Sequence, residues 1–333
     1  VIILNLLYLL VGMAFIILCI VDFIWTTLWI DGGAGPVTNR LSSLIWRMAR
    51  MIGGNHSKSL SLAGPFVLSA TLLMWISLLW IGWTLIFAGL GQAIAPSHGT
   101  DAISWVDRFY FAGYLIFTLG NGDFSPKEGS AQIVSVLATG TGMLFITFGV
   151  TYLISILSAV TMKRSFASSI HGLGETAEEL VSSAWNGHDF HNLDLLLASY
   201  SEQLSSLAAQ HAAYPVLHYY HAVSHKTAMP SAIAILDEAV SLIKFAVPVS
   251  YHPNQLLLKE MRSSIDQYLD TLNKSFYKPS KQIPPIPNFN IFQEAEIPMM
   301  PETDYLNAFA TLENRRRKLL GGLEADGRSW SSS

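Results

Sequence analysis

The sequence predicts an all-α membrane protein: a bundle of apolar helices followed by a soluble helical domain. Apolar residues make up 51% of its 333 residues and charged residues 13%, about half the charged share of an ordinary soluble protein, roughly 25%. The apolar residues are concentrated before Arg164. Within that part stand three apolar stretches, each long enough to cross the hydrocarbon core of a bilayer at a helical rise of about 1.5 Å per residue.

These shifts in composition divide the chain into five parts: a first span (1–30), a linker with an amphipathic helix (31–60), a membrane module (61–164), a helical domain (165–277), and a Pro-rich segment with a tail (278–333). A net charge of −4 offers no basic surface for nucleic acid. The single Cys19 excludes a disulfide framework and a thiolate metal site. It reads as a small apolar residue.

Val1–Val21 is almost wholly apolar. It lacks the basic start and the small-residue cleavage site of a signal peptide, so it reads as a true span. Trp25 and Trp29 sit where interface anchors belong, and Asp22 reads as a carboxylate at the interface. Asp31–Pro36 breaks the helix by its glycines and proline. Asn39–Ile52 then sets Leu41, Leu44, Ile45, Met48 and Ile52 on one side and Arg40, Arg47 and Arg50 toward the other. That pattern suits a helix lying on a lipid surface or packing on the soluble domain. Its arginines and Lys58 place it on the cytoplasmic side by the positive-inside rule.

Ser61–Leu90 is the second span, with Trp75, Trp80 and Trp83 read as facing lipid or the interface. Gly89–Asp101 is an external turn segment marked by Pro96 and Gly99. Trp105–Phe117 is too short to span but long enough for a half-helix, with Asp107 in its first turn where a carboxylate complements the dipole. Ala131–Met162 is the third span, carrying Gly140, Gly142 and Gly149, and Lys163–Arg164 closes it on the cytoplasmic side. Glycines in such a helix serve close packing or a hinge.

Between the half-helix and the third span runs Thr118-Leu119-Gly120-Asn121-Gly122-Asp123. Taken alone it is an Asn-Gly turn. Its place between two spans, after a half-helix whose negative end faces it, gives it another meaning. Gly120 and Gly122 take φ > 0 without a Cβ penalty, and alternating them with Leu119 and Asn121 lets successive carbonyls point to one side. Rings of such carbonyls replace the water of a cation. Irregular backbone of this kind is tolerated at membrane depth only in protein or beside a water-filled cavity.

This stretch, over about Ser61–Met162, resembles the tetrameric pore-loop potassium channels, whose filter commonly reads TVGYGD. The resemblance implies a homotetramer in a prokaryotic plasma membrane that conducts passively, without cofactor or catalysis. It implies that the filter is Thr118, Leu119, Gly120, Asn121 and Gly122, with Asp123 at its mouth and Tyr110 or Tyr114 hydrogen-bonded to that acid. The spacing from Gly120 to Gly142 is similar to that of the family's gating hinge. Two residues depart from the pattern. Asn121 replaces an aromatic that braces the filter, which opens a non-selective pore as an alternative to a potassium-selective one. Phe117 stands where Thr or Ser is usual and could refill the space left at Asn121. The first span has no arginine ladder for voltage sensing. A third reading, from another class, is a non-conducting, membrane-anchored scaffold.

Beyond Ser165, apolar residues recur at helical spacing over Thr176–Trp185, Leu193–His211, Pro215–His225, Ser231–Phe245 and Asn254–Phe276. Gly187, Pro215, Pro230 and Pro253 punctuate them. No nucleotide-binding or cyclic-nucleotide pattern stands there, so the domain's regulator is open. His218, His221 and His225 fall on one face of the third of these helices, and His188 and His191 form another pair. Such faces bind zinc or sense protons. With no acidic partner at matching spacing, they read as surface or interface residues. Lys278–Pro301 is Pro-rich and extended. Pro301–Leu320 forms a last helix whose basic run, Arg315–Lys318, reads as a solvated face or a contact with anionic lipid. Ser329–Ser333 reads as disordered.

Overall fold

Helix α1 (Ile2–Leu28) carries almost nothing but apolar side chains, and with them it meets α4 (Ala63–Gly89). The glycines decide how closely. A Cβ on Gly12 would come within 2.7 Å of the Gly82 carbonyl, and one on Gly82 within 3.1 Å of the Gly12 carbonyl. Two backbones approach like this only where both residues are small. The structure is a computed structural model that describes residues 2–29, 33–53, 57–97, 102–273 and 277–330. The expectations for Asp31, Gly99, Asp101 and residues 331–333 lie outside the described residues.

The chain forms two compact units, Val1–Trp46 with Pro65–Ile156, and Arg47–Gly64 with Leu157–Ser333. Three helices among the described residues are long and apolar enough to cross a membrane, within Ile2–Leu28, Lys58–Gly89 and Ser130–His171. The protein is thus a multi-pass, all-α membrane protein with a mostly helical C-terminal region.

In the first unit, α2 (Pro36–Gly53) begins against α1 through Asp22, which is buried. Its carboxylate accepts the N–H groups of Val37 at 2.7 Å and Thr38 at 3.1 Å, the Thr38 hydroxyl at 2.5 Å and the Trp75 indole at 2.8 Å. It caps the positive end of α2 from a neighbouring helix, which corrects the interfacial reading of Asp22. The tryptophans of α4 are corrected too. Trp75 and Trp83 are buried, Trp83 donates to Thr141 at 3.0 Å, and Trp80 donates to the Phe109 carbonyl at 2.7 Å. An indole inside a bundle spends its N–H on a partner rather than facing lipid.

After α4, β1 (Ile94–Pro96) pairs antiparallel with β2 (Phe124–Pro126). This short ladder, which composition did not signal, lies on either side of α5 (Trp105–Ile116). Helix α6 (Ser130–His171) runs unbroken for 42 residues, past the Lys163–Arg164 pair where the third span was expected to close.

The second unit contains α3 (Ser57–Ser61), α7 (Ala177–Ala184), α8 (Asp194–Ala213), α9 (Met229–Ala246), α10 (Gln255–Asn273), α11 (Asn290–Glu294), α12 (Glu302–Thr311) and α13 (Glu313–Ala325). Helix α9 is buried along nearly its whole length and forms the centre of a core that draws on α7, α8, α10, α12 and α13. The helix expected over Pro215–His225 does not form. Pro215–Tyr219 is a single 3-10 segment, followed by irregular chain to a second one at His225–Thr227. The carbonyls of this segment bond cations from elsewhere in the chain: Lys163 binds those of Leu217 and Tyr220, and Arg328 binds that of Ala222. The three histidines therefore share no helical face. The basic run is not a solvated face either. Arg316 is buried and bonds Glu238 at 2.7 and 3.1 Å, while Arg315 bonds Asp237 at 2.5 and 2.8 Å.

Candidate functional site

Helix α5 starts cleanly. Ser104 accepts the N–H of Asp107 at 3.2 Å, and the Asp107 carboxylate accepts that of Ser104 at 2.8 Å, a reciprocal cap that satisfies two otherwise orphan donors. Trp80 sets the helix in place. Its ring stacks on Phe109 with centroids 4.3 Å apart, and a Cβ on Gly113 would come within 2.6 Å of it. Phe117 meets the same indole edge-on at 5.5 Å, so its ring packs toward α4.

The end of α5 is unusual. The N–H of Thr118 bonds the Leu115 carbonyl at 3.2 Å, and that of Leu119 bonds the Tyr114 carbonyl at 2.9 Å. This is the double hydrogen bond of a Schellman cap, whose left-handed position is ordinarily glycine. Here Thr118 occupies it, at φ 54°. A β-branched residue there is a backbone outlier. Gly120 follows at φ 62° and Gly122 at φ 82°, while Leu119 and Asn121 between them keep negative φ. Left-handed backbone thus falls on alternate residues. Residues 118–123 are all exposed in the single chain.

The returning arm of this loop is held from two sides. Tyr110 donates its phenol to Asp123 Oδ2 at 2.7 Å, and accepts from the Asn121 amide at 2.6 Å. One turn on, Tyr114 donates to the Phe124 carbonyl at 2.5 Å. The phenol-to-carboxylate bond expected of Tyr110 or Tyr114 comes from Tyr110, and Tyr114 secures the main chain instead. On the other side the β1 arm contributes Ser97. Its N–H bonds the Asp123 carbonyl at 2.9 Å and its hydroxyl bonds the Gly122 carbonyl. Ser97 carried no signal in the sequence, because its role depends on a two-strand ladder closed across α5.

Gly142 of α6 lies beside the same loop. A Cβ there would come within 2.3 Å of the Ile116 carbonyl, whereas one on Gly140 would meet nothing within 4 Å. Gly142 is where α6 packs on the last turn of α5. Thr118, Leu119, Gly120, Asn121, Gly122, Asp123, Tyr110, Tyr114 and Gly142 are thereby brought together around the C-terminal half of α5.

His218, His221 and His225 are elsewhere. His221 pairs with Asp326 at 2.9 Å, His225 with Ser231 at 3.3 Å, and the His218 ring faces that of His211 at 6.4 Å. His191 pairs with Asp194 at 3.1 Å. No group of three or more His, Cys, Asp or Glu that could hold a metal occurs among the described residues.

A family model described as an ion channel matches residues 70–159, the stretch that contains α5, the loop and Gly142. A curated relative, named the uncharacterized membrane protein YdjJ of Bacillus subtilis (strain 168), is 45% identical over 323 residues, 97% of this chain and 95% of that protein. The chain belongs to the YdjJ family. This YdjJ-family protein is a multi-pass membrane protein with an ion-channel-type domain, and the matched domain family is non-catalytic. No solved structure matches the chain.

Proposed function

We propose that this YdjJ-family protein is a passive potassium channel, with four copies of the chain each lending residues 118–122 to one filter. The observation that carries the reading is the left-handed backbone at Thr118, Gly120 and Gly122 in an exposed loop after a half-helix. Alternating the sign of φ turns successive carbonyls toward one side. The C-terminal end of α5, the negative end of its dipole, favours a cation there. Carbonyl rings of this kind replace an ion's hydration shell. One loop carries too few oxygens to cage an ion, and bare loop backbone has no place in lipid. A ring of four copies answers both needs.

In this reading the Thr118 hydroxyl adds an oxygen at the inner end, Asp123 raises cation concentration at the outer mouth, and the Gly122 carbonyl, engaged by Ser97, is the outermost. The Asn121–Tyr110–Asp123 chain of hydrogen bonds replaces the missing aromatic brace and favours selectivity. Gly142 serves as packing contact and as hinge. Arg40, Arg47, Arg50, Lys163 and Arg164 orient the protein with its C-terminal domain in the cytoplasm of a bacterium, and the exposed apolar residues of the spans meet membrane lipid. The small Asn121 side chain favours a second reading, a pore that does not discriminate sodium from potassium.

Purified protein in a planar bilayer, under opposed potassium and sodium gradients, separates the two. Reversal near the potassium equilibrium potential is the expected result. Reversal near zero with clear current would replace it with the non-selective pore. Absence of current from the full chain, and again after removal of the part following Arg164, would favour a non-conducting scaffold.

A further inference from the structure

The irregular segment where a helix was expected grips the last part of α6. Lys163 Nζ donates to the carbonyls of Leu217 and Tyr220, at 3.2 and 3.3 Å. Those two residues flank His218. The Tyr220 ring lies on Gly64 at the start of α4, where a Cβ would come within 2.6 Å of it. Next in the chain, His221 bonds Asp326 at 2.9 Å. Arg328 then bonds both Asp326, at 2.8 Å, and the Ala222 carbonyl, at 2.6 Å. Residues 217–222 thus form a clasp that holds the end of one apolar helix and the start of another, and that is latched to the C-terminal end of the domain.

Charged and titratable groups reach the clasp from every side. Helix α6 brings Lys163 and Arg164; α2 brings Arg50, bonded to the Ala325 carbonyl; α8 brings His211; α10 brings Tyr268; the C-terminal segment brings Asp326 and Arg328. The clasp itself adds His218, Tyr220 and His221. Four of these, Lys163 and the three arginines, are basic, and Asp326, already shared by His221 and Arg328, is the carboxylate among them. His211 is buried, its ring 6.4 Å from that of His218 and 6.2 Å from that of Tyr268. A proton on either imidazole adds a cation next to Lys163 in a place short of anions.

We propose that His211 and His218 form a proton-binding site that operates this clasp: neutral, they allow the grip on Lys163, and protonated, they release the end of α6. Burial first, and Lys163 second, hold both imidazoles below their ordinary value, His218 at about 3 and His211 well below. A depressed value in the closed form means the grip is whole above about pH 6.5 and is lost as pH falls from there toward about 3. At pH 5.5 the released form gains about tenfold for each histidine relative to pH 7.5. The clasp stands on residues of one compact unit and does not rest on the pore reading.

Hydrogen exchange on the full chain in lipid nanodiscs tests it without reading ion flux. Corrected for intrinsic rates, amides of residues 217–222 and of the end of α6 should lose at least about tenfold protection between pH 7.5 and 5.5. His211→Gln with His218→Gln should flatten that dependence. Lys163→Met, which cannot donate to the two carbonyls, should exchange at pH 7.5 as the unsubstituted protein does at 5.5. Equal protection at both pH values would overturn the proposal. So would a loss spread equally over α8, α9 and α10, because acid would then be unfolding the domain rather than opening the clasp.

Discussion

Tyr110 donates its phenol to Asp123 across 2.7 Å while it accepts from Asn121 across 2.6 Å. One hydroxyl therefore spends both its donor and its acceptor capacity on the loop that follows α5. Tyr110→Phe keeps the ring and removes both bonds, at a cost of about 1 kcal/mol each. Thermal unfolding of the purified protein should shift down accordingly. On the potassium-channel reading proposed above, selectivity in the bilayer should fall, because Asn121 loses its anchor. Unchanged selectivity with the hydroxyl gone would separate the brace from the discrimination of ions.

Thr118 holds a position that glycine would hold without strain. The left-handed region costs an L-residue about 1–2 kcal/mol. Strain kept at a single residue is expected where the side chain serves a function. Thr118→Gly should raise the unfolding temperature and, if the loop is the filter proposed above, lower conductance, since the hydroxyl goes with the strain. Thr118→Ser keeps the hydroxyl and should retain conductance. Equal conductance in all three proteins would leave the threonine without a role in permeation.

The residues that cluster at this loop were legible because their signals are local. A half-helix between two long apolar runs, and glycines two apart, are patterns within a few turns of chain. The parts that escaped were long-range. Asp22 lies in an apolar run and reads as an interface residue; its four donors come from α2 and α4. The basic run at Arg315–Lys318 has the look of a solvated face until α9 brings Asp237 and Glu238 beside it. Histidines 218, 221 and 225 have helical spacing without a helix, in a segment whose carbonyls bond cations distant in sequence. Periodicity reports on the main chain's own preferences, and each of these was decided by polar partners distant in sequence.

Gly142 and Gly140 offer an internal comparison on one helix. An added methyl at Gly142 meets the Ile116 main chain at 2.3 Å, and the same methyl at Gly140 meets open space. Gly142→Ala should cost about 1–3 kcal/mol by overpacking and disturb the loop after Ile116. In thermal unfolding Gly140→Ala should be neutral or slightly stabilising, because alanine is the better helix former. Two variants with the same stability would remove the packing role from Gly142 and leave the hinge as its reason for being glycine.

Arg316 offers the sharpest test of the C-terminal core. Its guanidinium is buried, bonds both oxygens of Glu238, and also reaches the carbonyls of Pro284 and Pro285. It thereby ties the Pro-rich segment to α9. Glu238→Gln removes the counter-charge and leaves the guanidinium buried against neutral acceptors, at about 3–5 kcal/mol. Arg316→Met alone strands the carboxylate instead and should cost a similar amount. The double variant, Glu238→Gln with Arg316→Met, should recover much of that loss, because both charges are gone and little volume has changed. Denaturant unfolding of the full chain in detergent, with the three variants read as a double-mutant cycle, gives the coupling directly. Losses in the single variants that simply add in the double one would mean that the pair does not act as a unit, and that other contacts hold the Pro-rich segment to α9.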